Sequence, residues 1–255
     1  MSTIRNRMTK LNGGTPISDG PFRNGSMYLT YTNEGMPIGA FWGYKTDGLI
    51  QTQEQLNAVK RADFQPNAEL GDVLFVDTNG DGKLDSSDRC MIGNPIPDII
   101  YGINMGMAWK GFDLNLQFGG TIGNQIFNAM RYYTYFPNDI TNKDRALMNY
   151  WTPNKTNTDI PRLTATDVND NDRFSDMYVE NGTYFRLRNA QLGYTLPASL
   201  TQRIKLQKVR FYVSGQNLFT ISSYSGMDPE VGQSSSLSRG IDYGIYPVSY
   251  THLRA

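Results

Sequence analysis

The sequence predicts an all-β fold in which antiparallel strands form the wall of a barrel. Three observations lead there. A stretch of strict alternation makes a hairpin with one apolar and one hydrophilic face. No apolar run approaches the roughly 18 residues that a membrane helix needs, which excludes helical spans but not a barrel. Along the chain, short turns fall at one end of the strands and long loops at the other, an asymmetry typical of outer-membrane barrels and rare in β-sandwiches.

The hairpin covers residues 101–118. Tyr101, Ile103, Met105, Met107 and Trp109 alternate with Gly102, Asn104, Gly106 and Ala108. Phe112, Leu114, Leu116 and Phe118 then alternate with Asp113, Asn115 and Gln117. With Lys110-Gly111 as a two-residue turn, Trp109 faces Phe112, Met107 faces Leu114, Met105 faces Leu116 and Ile103 faces Phe118. Side chains in strands repeat with period two, so all four pairs share one side. Such a ribbon suits a half-buried soluble sheet, or a wall between lipid and a watery lumen.

Composition narrows the choice. At 255 residues and 39% hydrophobic content, the chain can bury a core as one or two domains. Lys+Arg and Asp+Glu balance at 24 each, so no basic field favours nucleic acid as a partner. The 25 Gly, 16 Tyr and 12 Phe suit a barrel wall, and suit a secreted all-β protein equally. Cys90 is the one cysteine and forms no internal disulfide; it reads as a small, near-apolar residue. Met1–Arg7 is polar and strand-like, unlike a signal peptide.

Taken in order, Ile38–Tyr44 is a short aromatic strand, and Thr52–Lys60 a one- or two-turn helix. An acidic loop, 77–88, precedes the hairpin. The polar segment 119–178, rich in turn residues, is too long for an ordinary connection and is expected to be functional or exposed. Thr183–Leu196 is a strand whose apolar phase slips between Leu187 and Ala190, as a bulge would cause. Pro197–Gln207 makes a turn. Val209–Gln216 is the next strand, with Val209, Phe211 and Val213 on one face, and a Ser- and Gly-rich loop, 221–245, follows.

Six stretches in order, Gly35–Ile50, Gly71–Asp85, Ile92-Gly-Asn-Pro-Ile-Pro-Asp98, Tyr184–Pro197, Val213-Ser-Gly-Gln-Asn-Leu218 and Tyr224-Ser-Gly-Met-Asp-Pro-Glu230, resemble the C-terminal part of SusC/RagA-type TonB-dependent outer-membrane transporters of Bacteroidetes. The resemblance implies that 1–249 is the C-terminal part of a transmembrane barrel of about 22 strands, with plug and N-terminal regions absent. The tail 250–255, which holds His252, does not match the family and reads as truncated or foreign. The implied protein is a non-enzymatic importer of oligosaccharides or peptides. Its implied partners are a SusD-like lipoprotein, outer-membrane lipid, and TonB-ExbB-ExbD acting through the N-terminal region. The rival readings are a secreted soluble all-β binding or adhesion protein with a calcium-stiffened loop, and a secreted calcium-dependent hydrolase. The first predicts that the apolar faces pair in a buried core; the second needs an acid/base pair that the sequence does not offer.

One stretch has metal-ligand spacing. Asp77, Asn79 and Asp81 stand at positions 1, 3 and 5 of an EF-hand-type loop. Gly82 allows the turn at 6, the Lys83 carbonyl serves at 7, Asp85 acts at 9 through water, and Asp88 stands at 12 where Glu is usual. The expected ion is a structural Ca²⁺ that stiffens an outward loop; the competing reading is an Asx-rich turn. Arg131–Phe136 offers aromatic rings for stacking sugars, but girdle or loop packing explains it better. Trp109 and Phe112 read as an interfacial girdle, and Arg186 and Arg188 as lining the lumen or facing water.

Overall fold

A sharp turn sets the geometry of the wall. In the computed structural model of the chain, which describes residues 1–136, 142–202, 205–231, 235–244 and the backbone of 253–254, Lys110 and Gly111 both adopt positive φ, 47° and 88°. That is the type I′ geometry whose twist matches two flanking antiparallel strands. His252 and residues 232–234 and 245 of the 221–245 loop lie outside the described residues.

Before the turn come β1 (Ser2–Thr3), β2 (Ile17–Phe22), β3 (Met27–Thr32), β4 (Ala40–Gly43), β5 (Thr46–Leu49), β6 (Val73–Phe75), β7 (Cys90–Gly93) and β8 (Ile99–Trp109). After it come β9 (Phe112–Ile122), β10 (Gln125–Asn128), β11 (Val179–Asn181), β12 (Tyr184–Thr195), β13 (Arg210–Ser222), β14 (Ile241–Asp242) and β15 (Leu253–Arg254). The helices are α1 (Gln53–Arg61), α2 (Ala129–Tyr135) and α3 (Ala198–Thr201). α1 begins where expected because Thr52 and Gln55 form a reciprocal capping box.

The wall is a six-stranded antiparallel sheet in the order β1-β8-β9-β12-β13-β15. The hairpin register is the one the alternation requires: Trp109 opposite Phe112, Met107 opposite Leu114, Met105 opposite Leu116 and Ile103 opposite Phe118. The phase slip in β12 is a bulge. Leu187 pairs with Phe118 and Asn189 with Gln117, which leaves Arg188 as the extra residue. Were Arg188 instead paired regularly in the ladder, Asn189 and Gln191 would turn to the apolar face and Ala190 and Leu192 to the polar one. β13 runs on to Ser222, beyond the expected Gln216, because it pairs with β12 along that strand's whole length.

The apolar face of the wall is bare. Met105, Met107, Trp109, Phe211 and Ile221 are 54–67% exposed, and no second sheet covers them among the described residues. A soluble sandwich buries such a row, so the soluble all-β alternative loses its main support. The buried core lies instead in the layer of connections at the far end from the Lys110-Gly111 turn. Phe22, Leu29, Phe41, Phe127, Ala129, Tyr132, Phe174, Tyr178 and Ile241 form one cluster. Leu49, Phe64, Val73, Phe75 and Trp151 form another.

The described residues of segment 119–178, expected to be functional or exposed, are a folded part of this layer. The segment's first residues complete β9, and Phe127, Tyr132, Trp151 and Phe174 from it are core residues. Edge-to-face contacts hold Phe127 against Phe22 and Phe174 at centroid distances of 5.4 and 4.9 Å.

Candidate functional site

The alternation that leaves one wall face greasy makes the other a continuous polar surface. Gln117 lies between Asn104 on β8 and Asn189 on β12, and Asn189 in turn opposes Gln216 on β13. Nearer the short turn, Asn115 opposes Gln191 and Gly106. Asp113 accepts from Arg210 Nε at 2.9 Å and Nη2 at 2.5 Å, a fork that bridges β9 and β13 across Gly193. These amides give a neutral, hydrated surface with a single ion pair at its lower end.

At the upper end of the same face stands a denser charge cluster. Arg186, only 4% exposed, donates through Nη2 to Asp228 at 2.5 Å, through Nη1 to Glu230 at 2.9 Å and through Nε to Thr220 at 2.8 Å. Arg188, the bulge residue, donates through Nη2 to Glu230 and to the Tyr184 hydroxyl, both at 3.1 Å. The two arginines expected to line the lumen or face water are thus engaged by the loop that follows β13. Gly119 makes room for Arg188, since a Cβ there would stand 2.7 Å from its Nε.

In the outer layer, the Asp72 carboxylate is fully buried and satisfied by Arg162 Nε at 2.6 Å and Asn171 Nδ2 at 3.1 Å. Gln65, Asn169 and Asn171 extend this network to the backbone of Val73 and Phe75. An open cleft of about 740 Å³ lies beside it, lined by Arg23, Tyr132, Tyr133, Asp167, Asp170 and Asp172 among others. Burial raises the Asp167 carboxyl above the usual range, against the hydrogen bonds that it accepts from the Asn171 and Asp172 backbone. A second cleft of about 570 Å³ is lined by Thr46, Gln51, Arg131, Asn149, Asn157 and Asp159 among others.

Arg131–Tyr135 lies in α2, and Phe136 follows as its C-cap. Tyr132 and Phe136 are buried, so their rings serve the core, and Arg131 pairs with Asp159 and Glu180 while lying over Tyr135. Packing in the layer, part of the favoured girdle-or-packing explanation, accounts for Tyr132 and Phe136, while Tyr133 and Tyr135 stay half-buried.

The 77–88 loop is closed by its own hydrogen bonds. Asp77 accepts from Gly80 N at 2.6 Å and Gly82 N at 2.9 Å, and Gly82 first among these donors holds its carboxyl below the usual range. Asn79 accepts from Asp81 N at 2.8 Å, and Asp81 from Lys83 N at 2.8 Å. Asp85 accepts from the Ser87 hydroxyl and backbone, each at 2.7 Å, which lowers it likewise. Asp88 is fully buried and accepts from Thr78 N and Asp85 N, both at 3.0 Å. Among the described residues, no three His, Cys, Asp or Glu side chains converge as a metal site.

No family model matches the chain. TonB-dependent receptor P3 of Formosa agariphila is 36% identical over 258 residues, which cover 96% of this chain and 25% of the relative. TonB-dependent receptor SusC of Bacteroides thetaiotaomicron is 29% identical over 191 residues, 74% of this chain and 18% of the relative. The solved RagAB peptide transporter aligns with a TM-score of 0.63 at 25% identity, covering 84% of this chain and 22% of that one. The chain belongs to the SusC/RagA-type TonB-dependent receptors. It spans about a quarter of the length of P3. As in these relatives, its sheet is part of an outer-membrane barrel. The face that carries exposed Met105 and Met107 and half-buried Leu114 and Leu116 is therefore the lipid face, and the amide-rich face looks into the lumen. Lys110-Gly111 is the short turn of this wall, and the folded layer is its long-loop end.

Proposed function

We propose that this chain supplies wall and outer loops to a non-enzymatic, TonB-dependent importer of oligosaccharides or peptides that works with a SusD-like lipoprotein. TonB-ExbB-ExbD would act on it through the receptor's N-terminal region. The observation that carries the reading is the continuity between a two-faced wall and a folded outer layer. Lipid needs the apolar face, a hydrated passage needs the amide face, and the layer offers polar clefts on the side where cargo arrives. The clefts hold neutral amides and hydroxyls beside the charged pairs Arg131–Asp159 and Arg23–Asp172, groups that hydrogen-bond either class of cargo.

Uptake of fluorescently labelled oligosaccharides and oligopeptides by cells with and without the full-length receptor tests this. The expected result is a loss of uptake of one cargo class on deletion of the receptor, and the same loss on deletion of TonB. Co-purification of a lipoprotein with the receptor is expected in mild detergent. Uptake unchanged in both deletion strains would overturn the reading.

We further propose Ca²⁺ as the ion of the 77–88 loop, a reading that rests on the spacing of Asp77, Asn79, Asp81, Lys83, Asp85 and Asp88. An oxygen that accepts one N–H keeps a second lone pair for a cation. Calorimetric titration of the purified receptor with CaCl₂ should show heat that Asp81→Asn removes; wild-type protein giving no heat would end the proposal.

A further inference from the structure

We propose that residues 226–231 are an electrostatically latched strap on the lumen face of the wall, held by Arg186 and Arg188 and releasable while both its flanks stay in place. The geometry separates the strap from its anchors. On the near side, Ser225 receives two bonds from the layer: its N–H donates to Glu180 Oε2 and its hydroxyl to Glu180 Oε1, each at 2.8 Å. Asn128 Nδ2 adds a third contact to the same hydroxyl at 3.1 Å. On the far side, the Leu237 carbonyl accepts from Thr30 Oγ1 at 2.8 Å, and β14 pairs with β10 while Ile241 sits in the main core.

Between these anchors the strap meets the wall through carboxylates. Asp228 and Glu230 share the Arg186 guanidinium, and Glu230 also takes Arg188. Asp228 additionally accepts the Glu230 backbone N–H at 2.8 Å, which fixes the turn around Pro229 that presents both acids to one arginine. Met227, at the tip, is 75% exposed and contributes nothing to the core. Hydrogen bonds and the packing of Ile241 therefore hold the flanks, while the strap is held by its two carboxylates with Pro229 buried between them.

The latch has two stages. Arg186 and Asp228 are 4% and 12% exposed at the side chain, while Arg188 and Glu230 are 44% and 43% exposed. Salt screens the second pair much more than the first. The outer contact yields first, and the buried one keeps the strap in register for reclosing. Closed, the latch couples the outer layer to β12 and narrows the lumen beside it; open, it frees six residues at the mouth without unfolding the layer.

A spin label at Met227→Cys in the full-length receptor, in a background whose other cysteines are replaced, reads the latch directly. In the otherwise wild-type protein the slow-motion component should dominate. Asp228→Asn with Glu230→Gln should cut that component at least about two-fold, while heat-modifiable gel mobility shows the barrel still folded. Raising salt should weaken it less, and Glu230→Gln alone should abolish that salt response. The exchanged pair Arg186→Asp with Asp228→Arg should restore part of the slow component. A label spectrum unchanged by the double neutralisation in a folded barrel would overturn the proposal, showing that the flanks alone hold the strap.

Discussion

Placing an arginine at Met105 tests which medium touches the wall. β8 has 11 residues, and at about 3.3 Å each the strand extends roughly 36 Å. Tilted by about 45°, it rises roughly 25 Å, the height of the apolar band of an outer-membrane barrel. Met105 lies one residue past Asn104, the strand's midpoint, and its side chain is 54% exposed on the greasy face. An arginine at the midplane of the lipid face costs about 2–4 kcal/mol, falling to about 0–1 near the interfaces. About 3 kcal/mol is roughly a hundredfold loss in the folded-to-unfolded ratio. Met105→Arg should therefore lower the temperature at which the full-length receptor loses its heat-modifiable gel mobility. Trp109→Arg, beside the short turn, should lower it far less, and Met105→Ala marks the loss of side-chain contacts without charge. The reasoning is refuted if Met105→Arg matches Met105→Ala, because the row would then face water or a partner able to hold a charge.

Gly111→Val should destabilise the β8–β9 hairpin by more than about 1 kcal/mol, since φ there is +88° and its Cβ would stand 2.9 Å from the Thr195 carbonyl; a lowered melting point of the barrel checks it. Asp72→Ala should cost the outer layer about 1–3 kcal/mol by removing the buried acceptor of Arg162 and Asn171 while Glu69 still pairs with Arg162, seen as proteolysis of the layer in a receptor whose barrel stays folded. Thr52→Ala, which removes half of the α1 capping box, should cost about 1 kcal/mol by the same assay. The Asp77 and Asp85 carboxyls are lowered in the folded loop, so their contribution is present above the ordinary carboxylate range and is lost as pH falls through the folded values. Protection of the Gly80, Gly82 and Ser87 amides, taken against the intrinsic exchange rate at each pH, should fall on acidification, and Asp77→Asn should shift that response.

The sequence showed most where a face is repeated and least where contacts are scattered. The 101–118 hairpin was legible residue by residue because a slip of one position would exchange lipid-facing Met105 for Asn104, and no other register keeps the faces apart. The bulge at Arg188 was legible for the same reason: Leu187 and Ala190 are out of phase, and one extra residue restores the phase. α1 was read only as a short helix over Thr52–Lys60, and the capping box that fixes its start is a feature of the structure. The core of the outer layer gave no such signal, because Phe22, Phe127, Tyr132 and Phe174 come from separate elements and meet without a shared period. The polar core was hidden further, since Asp72 and Arg162 lie 90 positions apart and nothing in either neighbourhood announces the other. The Arg186 clamp falls between these cases. Tyr184–Pro197 and Tyr224–Glu230 were both recognisable as motifs, yet a motif records residues and not their partner. Arg186 needed a carboxylate once its alternation placed it on the inner face of β12, and Asp228 and Glu230, two positions apart across a proline, are the geometry a single guanidinium can hold. Buried charge in a wall lined mainly by amides should therefore be matched against the acidic turns of the following loop.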